Sequence, residues 1–182
     1  FFNQHIEAAV QLDCDHMVVS TGFAYLDVDA EDAFGWCAEA MGRIARKAEQ
    51  EGVTLAVEPF TKYTTHICNE ASQLRRLLRT VNSPRLMGLA DTDVIATTAV
   101  DTFSTFLDVI GPENLGHVHF VDGNPGGHLV PGDGVLDLDG ALEKLKAIHY
   151  TGALGLEVLD RRYVFAPEAA MKQAMDWYKE RI

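Results

Sequence analysis

The stretch Gly52-Val-Thr-Leu-Ala-Val-Glu-Pro59 decides the fold. Residues 53–57 form an apolar run of strand length that opens after a glycine and closes on Glu58. Upstream, Trp36, Cys37, Ala40, Met41, Ile44 and Ala48 recur at helical spacing, which predicts a helix over 31–51. Gly52 then sits where a helix-ending glycine is expected. Downstream, Asn69 is placed to cap a helix over 70–81, and Ser83-Pro84 breaks the chain before a second apolar run, LMGLA, at 86–90.

The same alternation extends both ways. A helix over 2–13 and a strand over 16–21 precede it. A helix over about 98–110, a strand over 116–121, a helix over 138–149, a strand over 153–158 and a helix over 167–181 follow it. Segment 122–135 is too rich in Gly and Pro to be regular and reads as a loop. Five strands alternating with helices imply an α/β fold with a parallel sheet. Nearly continuous apolar strands fit a sheet covered on both faces. No composition shift divides residues 1–182, which read as a single domain. An eight-stranded βα barrel takes about 250 residues. Periodicity alone therefore leaves open an incomplete barrel, an open sheet, or association with another chain, including a second copy.

Composition narrows the function. The chain has 182 residues, is 47% hydrophobic and carries a formal charge of −12. That acidity disfavours a nucleic-acid partner. No apolar run approaches the ~20 residues that span a bilayer, so no membrane role is expected. The first residue is Phe1 and no signal peptide is visible, which fits a fragment or a processed product. Cys14, Cys37 and Cys68 fall in no CxxC motif, which suggests a reducing, cytoplasmic setting and argues against a zinc-thiolate site. GxxxxGK[ST], GxGxxG and GxSxG motifs are also absent.

The polar residues at the strand ends carry the chemistry. Each of the last four strands is apolar until its C-terminal end, where it places Glu58, Asp91, His119 and Glu157. The separations are 33, 28 and 38 residues, about one βα unit each. In a βα barrel those strand ends converge on one mouth. One such carboxylate alone would most often be solvated or cap a helix. Four in consecutive strands can enclose a cation. Three carboxylates and one imidazole suit Mn²⁺ or Mg²⁺, and also accommodate Co²⁺ or Zn²⁺.

The matching stretches go further. Leu55-Ala-Val-Glu58-Pro59, Gly88-Leu-Ala-Asp91-Thr92, His117-Val-His119-Phe-Val-Asp122, Pro131-Gly-Asp-Gly134 and Leu156-Glu157 stand in order and at spacing. In these the chain resembles the xylose isomerase-like TIM barrels, and in particular the tagatose, psicose and fructoselysine 3-epimerases. The resemblance implies a (βα)8 barrel of which this chain supplies the fourth to eighth βα units, the N-terminal units being missing. It implies one divalent metal ion held by Glu58, Asp91, His119 and Glu157, with both glutamates also moving protons. The implied activity is a carbohydrate isomerase that inverts C3 of a ketose through an ene-diolate. Hydroxypyruvate isomerase and inosose dehydratase chemistry are the alternatives within the family. An endonuclease IV-like hydrolase needs many His ligands and a DNA-binding surface, which seven scattered histidines and a charge of −12 do not suggest. A non-catalytic barrel module is the remaining alternative.

Three departures bear on the sugar. The tagatose and psicose pattern carries a His three residues after the aspartate ligand, an Arg six after the His ligand and a Glu six after the first Glu ligand. Here those positions are Val94, Pro125 and Thr64. The loop His128-Leu-Val-Pro-Gly-Asp-Gly134 is closer to the fructoselysine type, so a modified, extended or phosphorylated sugar fits as well as a free one. His66, His128 and Asp122 are the candidate substrate contacts, and Asp122 is also placed to orient His119. His117 shares a strand face with His119 and reads as structural. Arg161 and Arg162 read as surface residues and Asp93 as solvated.

Overall fold

The computed structural model describes residues 1–181. Five strands lie in the order of the sequence: β1 (His16–Ser20), β2 (Thr54–Glu58), β3 (Leu86–Asp91), β4 (Leu115–His119) and β5 (Leu154–Gly155). Every pairing is parallel. Seven helices accompany them: α1 (Phe2–Gln11), α2 (Ala30–Glu51), α3 (Ala71–Val81), α4 (Thr92–Thr98), α5 (Phe103–Ile110), α6 (Leu138–Ala147) and α7 (Pro167–Lys179). The result is a curved half-barrel.

Register carries the strand ends toward one rim, with a stagger between β2 and β3, where Val57 pairs with Gly88. Ser20 pairs with Glu58, Asp91 with His119, and His119 with Gly155. The central strands are the most deeply covered. All of β2 is buried, as is β3 except Met87, whereas β1 and β5 are partly exposed and each has one sheet neighbour among the described residues. Val18, in the middle of β1, is 45% exposed. The main core lies between the sheet and helices α2, α3, α5 and α6, with Leu55, Leu74, Leu77, Leu107 and Ile110 fully enclosed. Burial of apolar area at about 25 cal/mol per Å² is what holds these layers together.

Local chemistry sets the helix ends. The Asp29 carboxylate accepts from the Glu31 and Asp32 N–H groups to start α2, which ends on left-handed Gly52 at φ 75°. Asn69 does not cap α3. Its amide instead donates to the Phe60 and Thr65 carbonyls at 2.7 and 2.9 Å, tying the β2–α3 loop together.

Two elements differ from the sequence reading. The helix expected over about 98–110 starts later, at Phe103, and a short helix absent from that reading precedes it: Asp91 caps α4 directly at the end of β3, and Ala99, at φ 56°, ends it. Thr102 and Thr105 then form a capping box that restarts the chain as α5. The strand expected over 153–158 pairs with β4 over two residues, Leu154 and Gly155. Glu157 thus stands two residues beyond the paired segment.

Candidate metal centre

Three strand ends and one strand continuation deliver the predicted residues to one point. Glu58, Asp91, His119 and Glu157 each offer a ligand atom, and those atoms all lie within 4.8 Å of one another. His119 is the hub. Its Nδ1 is 3.0 Å from Glu58 Oε1, 3.3 Å from Glu157 Oε2 and 3.5 Å from Asp91 Oδ2. The side chains of Glu58 and His119 are 10% exposed and that of Asp91 1%, but that of Glu157 is 38% exposed. Glu157 therefore forms the open side of the cluster.

Asp91 has two tasks. Its Oδ1 accepts from the Asp93 and Val94 N–H groups at 2.8 and 2.7 Å, which caps α4 and fixes the carboxylate plane. Its Oδ2 is buried and accepts no hydrogen bond, its polar neighbours being His128 Nε2 at 3.3 Å and His119 Nδ1 at 3.5 Å. A buried carboxylate oxygen left over beside two further carboxylates is costly unless a cation occupies the space between them. The donor set and this vacant lone pair fit a divalent ion coordinated by these four residues.

The electrostatics agree. Burial raises the Glu58 carboxyl above its usual range, against the pull of His119. Burial acts to lower His119, but the facing carboxylates of Asp91, Glu157 and Glu58 carry its pKa up to about 11. Burial acts to raise Asp91, but His119 and His128 hold it at about 2. Without a metal, a proton on His119 takes the place of the cation. His117 packs edge-on to His119 at 5.3 Å between ring centroids, and burial, with repulsion from His119 and His16, keeps its pKa low. Gly155 makes room for both rings, since a Cβ there would sit 2.9 Å from His117 Nε2 and 3.1 Å from His119 Cδ2.

The other candidates separate. His128 reaches the cluster, with Nε2 3.3 Å from Asp91 Oδ2 and 3.5 Å from Glu157 Oε2. Asp122 has a different setting from the one expected. Its two carboxylate oxygens accept four backbone N–H groups, from Gly123, Gly132, Gly134 and Leu136, at 2.9–3.0 Å. It organises the 123–136 loop, and no hydrogen bond joins it to His119. His66 is half-buried with both ring nitrogens enclosed and unpartnered, and no ion pair links it to the four ligands. Arg162 pairs with Asp160 on the surface. Asp93 is fully buried rather than solvated, and binds the His128 loop. The Asp91-Thr92-Asp93 sequence immediately after an apolar strand was the available signal for it.

The family model described as the xylose isomerase-like TIM barrel matches residues 1–181. The chain belongs to that family. Among its relatives is the fructoselysine 3-epimerase of Shigella flexneri, 26% identical over 176 residues, which cover 96% of this chain and 63% of that protein. The ketose 3-epimerase of Arthrobacter globiformis is 30% identical over 118 residues, covering 65% of this chain and 39% of that protein. The chain thus spans less than two thirds of the length of these xylose isomerase-like relatives. Among solved structures, a D-psicose 3-epimerase with D-tagatose from Clostridium cellulolyticum H10 has a TM-score of 0.86 at 18% identity, covering all of this chain and 69% of that one. That likeness establishes the shared barrel architecture.

Proposed function

We propose that this chain carries the metal centre and the proton-transfer groups of a sugar epimerase that inverts C3 of a ketose or ketose derivative. The observation that carries the reading is the convergence of ligand atoms of Glu58, Asp91, His119 and Glu157 within 4.8 Å, at the C-terminal strand ends of a xylose isomerase-like half-barrel. The relatives that act as ketose and fructoselysine 3-epimerases support the reaction class. These five βα units correspond to the fourth to eighth of the family barrel. The partly exposed β1 and β5 edges are where further strands would add.

A divalent ion held by the four residues, Mn²⁺ for preference, would polarise a sugar carbonyl and stabilise negative charge on its oxygen. The chain's own residues do the rest. Glu157, open on one side, and Glu58, enclosed on the other, are two carboxylates at one centre. One removes the C3 proton, and the other returns a proton to the opposite face. Asp91 is fixed by the α4 N-terminus and holds charge without moving. His119 serves as ligand only when its Nδ1 is unprotonated.

Val94, Pro125 and Thr64 stand in place of the residues of the tagatose and psicose pattern, so the sugar panel includes a modified ketose beside free ketohexoses. The test is turnover of a panel by the metal-loaded protein in D₂O: D-fructose, D-psicose, D-tagatose, fructoselysine and hydroxypyruvate. Deuterium entering C3 of a ketose, with the C3 epimer formed, supports the reading. Conversion of hydroxypyruvate alone would move the protein to another enolising reaction.

A further inference from the structure

Asp93 is wholly buried yet is neither a metal ligand nor paired with a basic side chain of Lys or Arg. Its carboxylate is spent on one loop. Oδ1 accepts the Gly126 N–H at 2.5 Å, and Oδ2 accepts the His128 N–H at 2.9 Å. The same Oδ2 lies 3.0 Å from Nδ1 of the His128 ring. The loop is shaped for this arrangement. A Cβ on Gly123 would collide with the Asp93 carboxylate. His128 itself takes a left-handed backbone at φ 48°, after Gly126 and Gly127 at φ 95° and 106°. That conformation is unfavourable for a histidine and persists only where its surroundings over-determine it.

The consequence is directional. With Nδ1 held against Asp93, the opposite nitrogen, Nε2, faces Asp91 Oδ2 and Glu157 Oε2. His128 is not among the four converging ligands, so Nε2 flanks the cluster on its Asp91–Glu157 side. This is also the side on which Glu157 is open. The tagatose and psicose pattern carries an imidazole three residues after the aspartate ligand, where this chain has Val94. Here an imidazole comes from the loop after β4 instead, and Asp93, one residue before Val94, holds it.

We propose that Asp93 is a positioning residue that locks His128 with Nδ1–H donated to its carboxylate, so that Nε2 is presented to an oxygen of the substrate bound beside Glu157. The substrate-contact part rests on the sugar-epimerase reading; the locking of the ring does not. A carboxylate–imidazole pair of this kind fixes the ring orientation and the tautomer together. With Nδ1–H given to Asp93, the neutral ring accepts at Nε2 from a hydroxyl of a polyol chain, and it acts on binding more than on the chemical step.

The test uses protein labelled with ¹⁵N in histidine and loaded with Zn²⁺, which is diamagnetic. In the native protein the His128 ring should show a slowly exchanging proton on Nδ1. Asp93→Ala should abolish that signal while Zn²⁺ still binds. With a ketose from the panel, Asp93→Ala and His128→Gln should each raise KM about tenfold and alter kcat less, as for a lost binding hydrogen bond. His128→Gln leaves the backbone bonds to Asp93 in place, so it tests the contact even where Asp93→Ala unfolds. An exchanging or absent Nδ1 proton in the native protein, or one that survives Asp93→Ala, overturns the positioning role. An unchanged KM in His128→Gln overturns the substrate contact. If no ketose is turned over, the epimerase reading fails, while the Nδ1 signal still decides the positioning role.

Discussion

His119 Nδ1 lies 3.0 Å from Glu58 Oε1, although 61 residues separate the two in the chain. The same nitrogen faces Asp91 and Glu157. A proton and a divalent ion therefore compete for one position, and the competition gives a signed pH dependence. His119 is raised from 6.5 to about 11, so its contribution to the stability of the metal-free protein is full below about pH 6.5 and is lost as pH rises through about 11. Burial acts to lower His128, but the carboxylates of Asp91 and Asp93 beside it carry it up to about 10, and it acts in the same direction. In chelator, melting temperature should fall between pH 7 and 9. With excess Mn²⁺ the stabilisation by metal should grow over the same range, because the ligand proton must leave. Melting curves with and without chelator check both slopes, and parallel curves would contradict the competition.

Glu157→Gln should abolish turnover while leaving the fold intact. The side chain is 38% exposed and sits beyond the paired part of β5, so stability should change by no more than about 0.5 kcal/mol. The proton-transfer loss should be on the order of 10²–10⁴ in kcat. Circular dichroism and turnover of the most active ketose separate the two effects.

Gly155→Ala pushes a methyl group against His117 Nε2 and His119 Cδ2 at 2.9 and 3.1 Å. Turning the His119 ring should weaken metal binding by roughly 10–100-fold, as disturbed ligand support commonly does. Gly35→Ala, in α2 with open space around the new methyl, is the control and should stabilise by about 0.5–1 kcal/mol. Chelator competition measures the first, and urea unfolding the second.

Asp122→Asn removes an acceptor from the Gly132 and Gly134 N–H groups while keeping the side-chain shape. Two orphaned donors should cost about 2–4 kcal/mol. Metal affinity should change much less than stability, because no Asp122 oxygen belongs to the cluster. Loss of metal equal to the loss in Asp91→Asn would instead give Asp122 a direct part in the centre.

Much of this was legible in the sequence for a physical reason. A buried parallel strand must be apolar throughout, so Glu58, Asp91 and His119 at strand ends stand out against their neighbours. Glu157 followed the same pattern although β5 pairs over only two residues, because Leu154, Leu156 and Val158 still pack, partly buried, against the core. The misses came from side chains acting on backbone. Asp93 read as solvated and Asp122 as a substrate contact or a partner of His119; only the folded 123–136 loop shows that backbone N–H groups bind their carboxylates. Asn69 has cap chemistry, yet its amide found the Phe60 and Thr65 carbonyls instead. Helix α4 was missed because Thr92–Thr98 is short and its cap, Asp91, also stands out as a strand-end ligand.

The most direct test of the metal centre is the stoichiometry of Mn²⁺ on the native chain and on Asp91→Asn, by equilibrium dialysis after stripping with chelator. One ion per native chain, with affinity lost by at least about 100-fold in the variant, is the expected result, since Asp91 carries the unpartnered buried oxygen. No bound ion on the native chain, or equal affinity in both proteins, would contradict the account.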